Sequence, residues 1–229
     1  MNIEVFANSE ELAEAAAQKI AAVMRDAPGP RVSLGLAGGS TPAATYQQLR
    51  GLPARWERVD AWLADERWVP HDHQQSNGRM AAATLFDHVD ATLHRPRWAP
   101  WLEPEESAAH YEATLRSLHP QDHQPDLVLL GIGGDGHTAS LFPSTAALHV
   151  ERRWYVANHV THLDTWRLTA TVPFLHQARL VYFLVAGADK AETLAAIAAG
   201  EDFPATIVAA GAKEVTWLVD EAAASKLSL

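Results

Sequence analysis

The fold class is decided by residues 126–138, which read DLVLLGIGGDGHT. The stretch opens with a nearly all-apolar run, Asp126 to Leu130, as is typical of a strand whose two sheet faces are both covered. A glycine-rich turn follows and brings polar side chains to the end of that strand. In open α/β sheets, ligands bind outside the carboxyl ends of the strands. The stretch therefore predicts a buried parallel strand that exposes Asp135 and His137 at a crevice.

The same order of elements recurs along the chain. Further strands are predicted over 2–6, 32–36, 59–63, 168–172, 180–185 and 215–219. Helices are predicted after a cap at Ser9, up to Leu49, from Ser76 or Asn77 to about Val89, over 103–118 and over 188–199. Strands that alternate with helices predict an α/β fold with a mostly parallel sheet between two helical layers, a three-layer α/β/α Rossmann-like arrangement. We expect residues 1–229 to form one domain.

Composition narrows the classes of partner and location. The chain has 229 residues, a formal net charge of −10 and no cysteine. The negative charge argues against nucleic acid as a partner, and the lack of cysteine excludes disulfides and thiolate zinc sites. We see neither a signal peptide nor a membrane-spanning run, so we expect a cytoplasmic protein without membrane contact. A monomer or a small homo-oligomer is expected.

Residues 131–136 also match the dinucleotide-binding pattern G-x-G-x-x-G. Three features count against that interpretation. Pro143 interrupts the helix that should follow the turn, and Glu151 precedes an apolar run where the ribose-binding acid would end one. The polar residues Asp135 to His137 also occupy the place of the pyrophosphate. A P-loop is excluded because His137 replaces its lysine.

Three other segments directly follow predicted strands. Residues 38–41, Gly38-Gly39-Ser40-Thr41, form a glycine-rich turn before a helix, which is a candidate anion cradle or an ordinary capped turn. Asp65 to Arg67 place three charges at a strand end, although a solvated loop would look the same. Gly187 to Lys190 begin a helix at which a lysine is less expected than an acid, so Lys190 is a candidate anion ligand. Arg167 lies in an alternating strand and could be a surface residue.

Other catalytic classes have weaker support. His71-Asp72-His73 could suggest a metal, but no third ligand is well placed, so no metal site and no cofactor are expected. The chain contains no G-x-S-x-G motif, so a serine hydrolase of that type lacks its nucleophile. A histidine after a buried strand remains the best candidate for proton transfer, because the ordinary pKa of imidazole is near neutral.

Taken together, these segments resemble the 6-phosphogluconolactonase family over nearly the whole chain. The carriers are LAGGSTPAATYQQL (36–49), DERWVP (65–70) with Ser76-Asn77, DLVLLGIGGDGHTASLFP (126–143), RLTATVPFL (167–175), GADKAETL (187–194) and Trp217 to Asp220. The chain is also similar to the glucosamine-6-phosphate deaminases, which look like cousins on the same fold. In those enzymes a glutamate that assists ring opening stands where Phe142 stands here. A phenyl ring cannot move protons, which favours the lactonase.

The resemblance implies hydrolysis of 6-phospho-D-glucono-1,5-lactone in the oxidative pentose phosphate pathway. In the mechanism that we expect, His137 activates water and Asp135 orients the imidazole, while Asp65 and Arg67 complete the catalytic group. The backbone N–H groups of the turn would stabilise the oxyanion. Arg67 would either polarise the carbonyl or hold phosphate, and Gly78 beside Ser76-Asn77, a departure from many lactonases, leaves Arg79 without a clear role. The phosphate-binding residues are expected to be Gly38, Gly39, Ser40, Thr41, Arg167 and Lys190, and the oxyanion donors Gly133, Gly134 and Gly136.

Two alternatives remain open from the sequence. One is an aldose–ketose isomerase with deamination, like the glucosamine-6-phosphate deaminases. The other is a sugar-phosphate sensor without enzymatic activity, which would need a separate DNA-binding partner because this chain is acidic and begins its first strand at Asn2.

Overall fold

The computed structural model describes residues 1–120 and 124–228. The strands are β1 (Ile3–Phe6), β2 (Val32–Leu36), β3 (Val59–Leu63), β4 (Asp65–Arg67), β5 (Thr92–His94), β6 (Leu127–Leu130), β7 (Tyr155–Val160), β8 (Thr165–Ala170), β9 (Leu180–Val185) and β10 (Val215–Asp220). The α-helices are α1 (Ser9–Asp26), α2 (Ser40–Leu49), α3 (Asn77–Thr84), α4 (Pro104–Leu118), α5 (Val172–Leu175), α6 (Ala191–Ala198), α7 (Pro204–Gly211) and α8 (Glu221–Ala224). No helix in these two ranges is long and apolar enough to cross a lipid bilayer.

Seven strands form one parallel sheet in the order β1-β10-β9-β6-β2-β3-β5. The predicted mostly parallel sheet is therefore confirmed. From β2 the chain continues to β3 and β5 on one side, whereas β6, β9 and β10 extend the sheet on the other side. The order reverses between β2 and β6, and this is where α/β sheets place their ligands.

The apolar run of β6 is explained by packing on both faces of this sheet. Leu127 and Leu129 join a buried cluster with residues of α1, α2 and α3. Val128 and Leu130 point the other way, into a cluster that includes residues of α4, α6 and α7. Successive strand residues face opposite sides, so only a run that is apolar throughout can fill both clusters.

A second, smaller sheet was not predicted. Strands β4, β8 and β7 pair antiparallel in that order. The chain passes from one sheet to the other at Ala64, whose amide donates to Leu36 O at 2.9 Å and whose carbonyl accepts from Ala170 N at 2.8 Å. Asp65 to Arg67 were predicted as charges at the end of a strand, with a solvated loop as the alternative. They form a short strand of their own, β4, directly after β3.

Several element ends differ from the sequence prediction. The cap of α1 is Asn8 rather than Ser9, because Asn8 Oδ1 accepts from the amides of Glu10 and Glu11. Helix α3 has Ser76 as its cap, as one of the two alternatives predicted, but it ends at Thr84 and a 3₁₀ turn follows. Residues 165–170 form β8, so the predicted strand 168–172 is displaced. Its last residue, Val172, begins α5 because the following Pro173 suits a first helical turn.

Candidate active site

A cavity of about 250 Å³ opens at the carboxyl ends of β2 and β6. The turn after β6 forms one wall, and the small antiparallel sheet forms another. Its lining residues are Ala37, Gly38, Ala64, Asp65, Arg67, Leu130, Gly131, Ile132, His137, Ala139, Ser140, Phe142, Leu163 and Arg167. The structure thus brings five predicted site residues into one cavity from distant parts of the chain: Gly38, Asp65, Arg67, His137 and Arg167.

The ring of His137 is held from three directions. Its Nδ1 lies 2.5 Å from Asp135 Oδ1, and its backbone amide donates to the same oxygen at 3.2 Å. Phe142 stacks on the imidazole with ring centroids 4.0 Å apart. On Gly133, a Cβ atom would lie 2.1 Å from the His137 ring, so only glycine leaves room for the imidazole there. These neighbours fix both the position and the tilt of the ring.

The Asp135 carboxylate and the His137 imidazole form a charge-assisted pair. Burial raises the pKa of Asp135, but the charge of the His137 imidazole and the hydrogen bonds from His137 outweigh it and lower the pKa below its ordinary value. Asp135 is therefore ionised at neutral pH and acts only as a hydrogen-bond acceptor. Its partner Nδ1 must then carry a proton, which makes Nε2 the unprotonated nitrogen of the neutral ring.

Two arginines form the basic wall of the cavity. Arg67 on β4 and Arg167 on β8 are directly paired in the antiparallel register. Arg67 Nη1 donates to Gln75 O at 2.7 Å, and Arg167 Nη1 donates to Thr165 Oγ1 at 3.0 Å. Burial and the positive charge of Arg67 lower the pKa of Arg167, against the opposite effect of nearby carboxylates. Two adjacent guanidinium groups that repel each other favour an anion between or beside them.

Asp65 lines the cavity but is occupied by protein donors. Its Oδ2 accepts from Ser140 Oγ at 2.6 Å and its Oδ1 from Asn77 Nδ2 at 3.1 Å. The side chain is buried. Asp65 thus ties the start of α3 to the segment that follows His137. Ser140 is a residue that sequence reasoning missed as a site component, although it lies within the GDGHTASLFP segment.

Glu66, the middle charge of the Asp65–Arg67 strand, points to the start of α3. Its Oε1 accepts from the amide of Asn77 at 2.7 Å, and its Oε2 accepts from the amide of Gly78 at 2.8 Å and from Ser76 Oγ at 2.9 Å. Burial raises the pKa of Glu66, and these hydrogen bonds partly oppose the rise. Because side chains alternate along a strand, the three charges do not all face the crevice.

A second cavity of about 300 Å³ adjoins the first. It lies at the start of α2, where Gly39 has φ +108° and serves as N-cap without a side-chain cap. Lys190 closes the other side, and its Nζ lies 3.1 Å from Asp189 Oδ2. The lining residues are Gly38, Gly39, Ser40, Thr41, Pro42, Gly131, Ile132, Leu184, Val185, Ala186, Asp189 and Lys190. Gly38, Gly131 and Ile132 line both cavities.

The predicted phosphate-binding residues therefore divide between the two cavities. Gly39, Ser40, Thr41 and Lys190 line the second cavity, whereas Arg167 lines the first. Gly38 lines both cavities. A Cβ atom at this position would lie 2.0 Å from Asn77 Oδ1, so glycine leaves room for the Asn77 side chain. Arg79 lines neither cavity.

The expected oxyanion donors are not placed for that role. The amide of Gly133 donates to His137 O at 2.9 Å, and the amide of Gly136 donates to Gly133 O at 3.1 Å. Both N–H groups are thus used to close the turn itself. Gly134 lies exposed at the tip, and none of the three glycines lines either cavity. Their function in the structure is to shape the turn that presents His137.

The histidine pair considered as a metal motif has other contacts. His71 Nε2 lies 2.9 Å from Pro96 O, and His73 Nδ1 accepts from Gln75 N at 3.2 Å. Among residues 1–120 and 124–228, no group of three or more His, Asp or Glu side chains is arranged to hold a metal ion.

Comparison with known proteins finds the same fold and sequence pattern over most of the chain. A family model described as glucosamine-6-phosphate isomerases/6-phosphogluconolactonase matches residues 7–217. The 6-phosphogluconolactonase of Synechocystis sp. is 39% identical over 206 residues, which cover 85% of this chain and 84% of that protein. The human 6-phosphogluconolactonase is 34% identical over 243 residues, which cover 99% and 94% of the two chains.

Two solved structures are similar over nearly their full length. The 6-phosphogluconolactonase of Trypanosoma brucei has a TM-score of 0.88 and 29% identity, covering 99% of this chain and 98% of that one. A monomeric glucosamine-6-phosphate deaminase has a TM-score of 0.84 and 26% identity, covering 99% and 100% of the two chains. Since both kinds of enzyme share the fold, the choice between them depends on the side chains in the cavity.

Proposed function

We propose that this chain, which belongs to the family of glucosamine-6-phosphate isomerases and 6-phosphogluconolactonases, hydrolyses 6-phospho-D-glucono-1,5-lactone to 6-phospho-D-gluconate. The observation that carries the proposal is that Asp135 pairs with Nδ1 of His137 at 2.5 Å, while His137 lines one cavity together with Arg67 and Arg167. The named lactonases among its relatives support the choice of substrate.

His137 acts as the general base. Because Asp135 accepts from Nδ1, the neutral imidazole has its free electron pair on Nε2. A water molecule beside Nε2 attacks C1 of the lactone as its proton passes to Nε2. The new C–O bond turns the carbonyl oxygen into an oxyanion. When the carbonyl re-forms, the bond between C1 and the ring oxygen breaks, and the proton on Nε2 passes to that oxygen as the ring opens.

Separate groups of the protein bind the phosphate of the substrate and the oxyanion that forms at C1. Ser40, Thr41 and Lys190, with the amides at the start of α2, hold the phosphate in the second cavity, and Arg167 supports them from the first cavity. Arg67 stabilises the oxyanion, since the amides of Gly133 and Gly136 are already used within the turn.

Phe142 separates this activity from that of the deaminase. It stacks on His137, at the place where the deaminases carry a glutamate that assists ring opening. An apolar ring offers no second group for the proton transfers of an isomerisation. Water attack on an activated ester needs only one base, which the Asp135–His137 pair supplies.

The test is a rate assay with freshly generated 6-phosphogluconolactone, corrected for its spontaneous hydrolysis. We expect a large enzymatic rate that is much smaller for the unphosphorylated glucono-1,5-lactone. Release of ammonia from glucosamine 6-phosphate is measured in parallel. Ammonia release without lactone hydrolysis would assign the cavity to the deaminase reaction instead.

A further inference from the structure

The first turn of α6 contacts both the phosphate-side cavity and the catalytic turn. Lys190 is the N-cap residue of this helix and lines the second cavity. Thr193, less than one turn further on, donates from its Oγ1 to the carbonyl oxygen of Gly134 at 2.8 Å. Gly134 directly precedes Asp135, the partner of His137. The same short stretch of helix therefore contributes Lys190 to the second cavity and, through Thr193, contacts the turn that carries Asp135 and His137.

The hydrogen bond from Thr193 sets the orientation of one peptide plane. The carbonyl of Gly134 and the amide of Asp135 belong to the same rigid, planar unit. Gly134 is exposed, and no atom lies within 4 Å of the position its Cβ would take, so close packing does not hold this residue. The next part of the turn has a separate anchor, because Gly136 O accepts from Ala205 N at 3.1 Å.

We infer that Thr193 is a positioning residue that couples phosphate binding at Lys190 to the placement of Asp135 and His137. The inference rests on the proposed function. A phosphate that takes Lys190 from its ion pair with Asp189 restrains the first turn of α6, and Thr193 passes this restraint to the Gly134–Asp135 peptide. Binding energy from a part of the substrate that does not react is thereby used to raise the rate at C1.

The first test supplies the substrate in two pieces. Unphosphorylated glucono-1,5-lactone is hydrolysed by the wild-type protein with and without added phosphite dianion. We expect phosphite to accelerate the enzymatic rate saturably, and Thr193→Val to abolish that acceleration. Thr193→Ser, which keeps the hydroxyl, should retain it.

A matched control exists on α7. Thr206 Oγ1 is buried and has no hydrogen-bond partner among residues 1–120 and 124–228. Thr206→Val makes the same change of side chain without removing a hydrogen bond seen there, so it should leave the phosphite effect intact. A merely structural role of Thr193 would lower the rates of both lactones equally and leave the acceleration by phosphite unchanged, and that result would overturn the inference.

The second test is a double-mutant cycle with Lys190→Ala on the phosphorylated substrate. Thr193→Val alone should lower kcat by about 10-fold, within the usual range for coupling between sites. In the Lys190→Ala background the same change should have an effect of no more than about 2-fold, because the restraint to be relayed is already lost. Independent, multiplicative effects of the two changes would contradict coupling.

The two proposals fail in different ways. A wild-type protein that hydrolyses neither lactone above the spontaneous rate would end the proposed function and this inference with it. A wild-type protein that hydrolyses the phosphorylated lactone, together with a Thr193→Val variant that keeps its full preference for that lactone, would end this inference alone.

Discussion

His137 is surrounded by neighbours that constrain it without competing for its reactive nitrogen. Asp135 accepts the hydrogen bond from Nδ1, Phe142 stacks on the ring, and the missing Cβ of Gly133 leaves room for it. A base that is already oriented does not lose rotamer freedom when water and substrate bind. The sequence motif predicted Asp135 and His137 as the polar residues of the turn. In the sequence, Phe142 was notable only because it stands where the deaminases carry a glutamate, and the structure shows that it also packs against the imidazole.

His137→Ala should lower kcat by about 10²–10⁴-fold, which is the usual contribution of a general base. The thermal midpoint should change little, because the imidazole is partly exposed at the cavity. His149→Ala, a change of the same type at an exposed site, is the control. Turnover near the wild-type rate in a folded His137→Ala protein would reject the assigned role.

The three basic side chains should separate in their kinetics. Arg167→Ala removes a contact to a phosphate that does not react, so it should mainly raise KM. Lys190→Ala should raise KM for the same reason and should also lower kcat, because it removes the restraint that Thr193 passes to the catalytic turn. Arg67→Ala removes a charge that we place at the oxyanion, so it should mainly lower kcat. Steady-state kinetics on the phosphorylated lactone measure both constants. A fall in kcat for Lys190→Ala with KM unchanged would count against the phosphate assignment.

Among the elements, the turn between β6 and Thr138 depends on glycines that serve different purposes. Gly136 has φ +76°, and a Cβ there would lie 2.1 Å from the ring of Phe203. Gly134 has open space around its Cβ position. Only the first of these two positions therefore requires glycine on steric grounds.

Gly136→Ala should lower both the thermal midpoint and kcat, with a cost in stability of at least about 1–2 kcal/mol from the left-handed backbone alone. The clash with Phe203 adds to that cost and displaces the turn that carries His137. Gly134→Ala is the matched control and should stay within about 0.5 kcal/mol of the wild type. Equal effects of the two substitutions would show that the turn is not held as described.

The start of α1 offers a direct comparison of sequence expectation and structure. Asn8→Ala removes the side chain that caps the helix and should cost about 0.5–2 kcal/mol of unfolding free energy, measured by urea denaturation. Ser9→Ala is the matched control at the first helical residue, where alanine is a good helix former. A larger loss of unfolding free energy for Ser9→Ala than for Asn8→Ala would indicate that Ser9, as the sequence suggested, caps the helix.

Across the protein as a whole, a buried carboxylate on α4 binds the residues that directly precede β7. Glu112 on α4 accepts from the amide of Trp154 at 2.8 Å and pairs with Arg116 and Arg153. Burial raises the pKa of Glu112, but these three donors outweigh it and lower the pKa below its ordinary value. α4 and the small sheet, which carries Arg67 and Arg167, are thereby held together.

The lowered pKa of Glu112 predicts that the protein loses stability at acid pH. A carboxylate whose pKa is lowered on folding contributes fully above its unfolded value, about 4.3 for glutamate. The contribution is lost as the pH falls through the lower value of the folded protein. Glu112→Gln should cost about 1–3 kcal/mol at neutral pH and less at acid pH, measured as urea midpoints across the range. A cost that does not depend on pH would contradict the ionic role.

The sequence alone was sufficient to predict a mostly parallel sheet and six of its seven strands, all but β5. It also named Asp65, Arg67, His137 and Arg167, which the fold brings to one cavity. Hydrophobic periodicity and the residues of turns are properties of neighbours along the chain, so β6, α2 and the turn to His137 were predicted close to their positions in the structure. The small sheet was missed because β4 pairs with β8 from a distant part of the chain, and because β7, the neighbour of β8, was not predicted as a strand. No local pattern states that Arg67 pairs with Arg167.

The folded structure also decided which donors and acceptors are free and which are used. The glycine-rich turn predicted amides for an oxyanion, but the fold of the turn consumes two of them, and Thr193 from α6 takes the carbonyl of Gly134. The family resemblance placed Asp65 in the catalytic group, but Asn77 and Ser140 donate hydrogen bonds to its oxygens in the folded chain. A hydrogen bond needs two groups in one place. Sequence patterns identify the groups, and the packing of distant elements determines which of them meet.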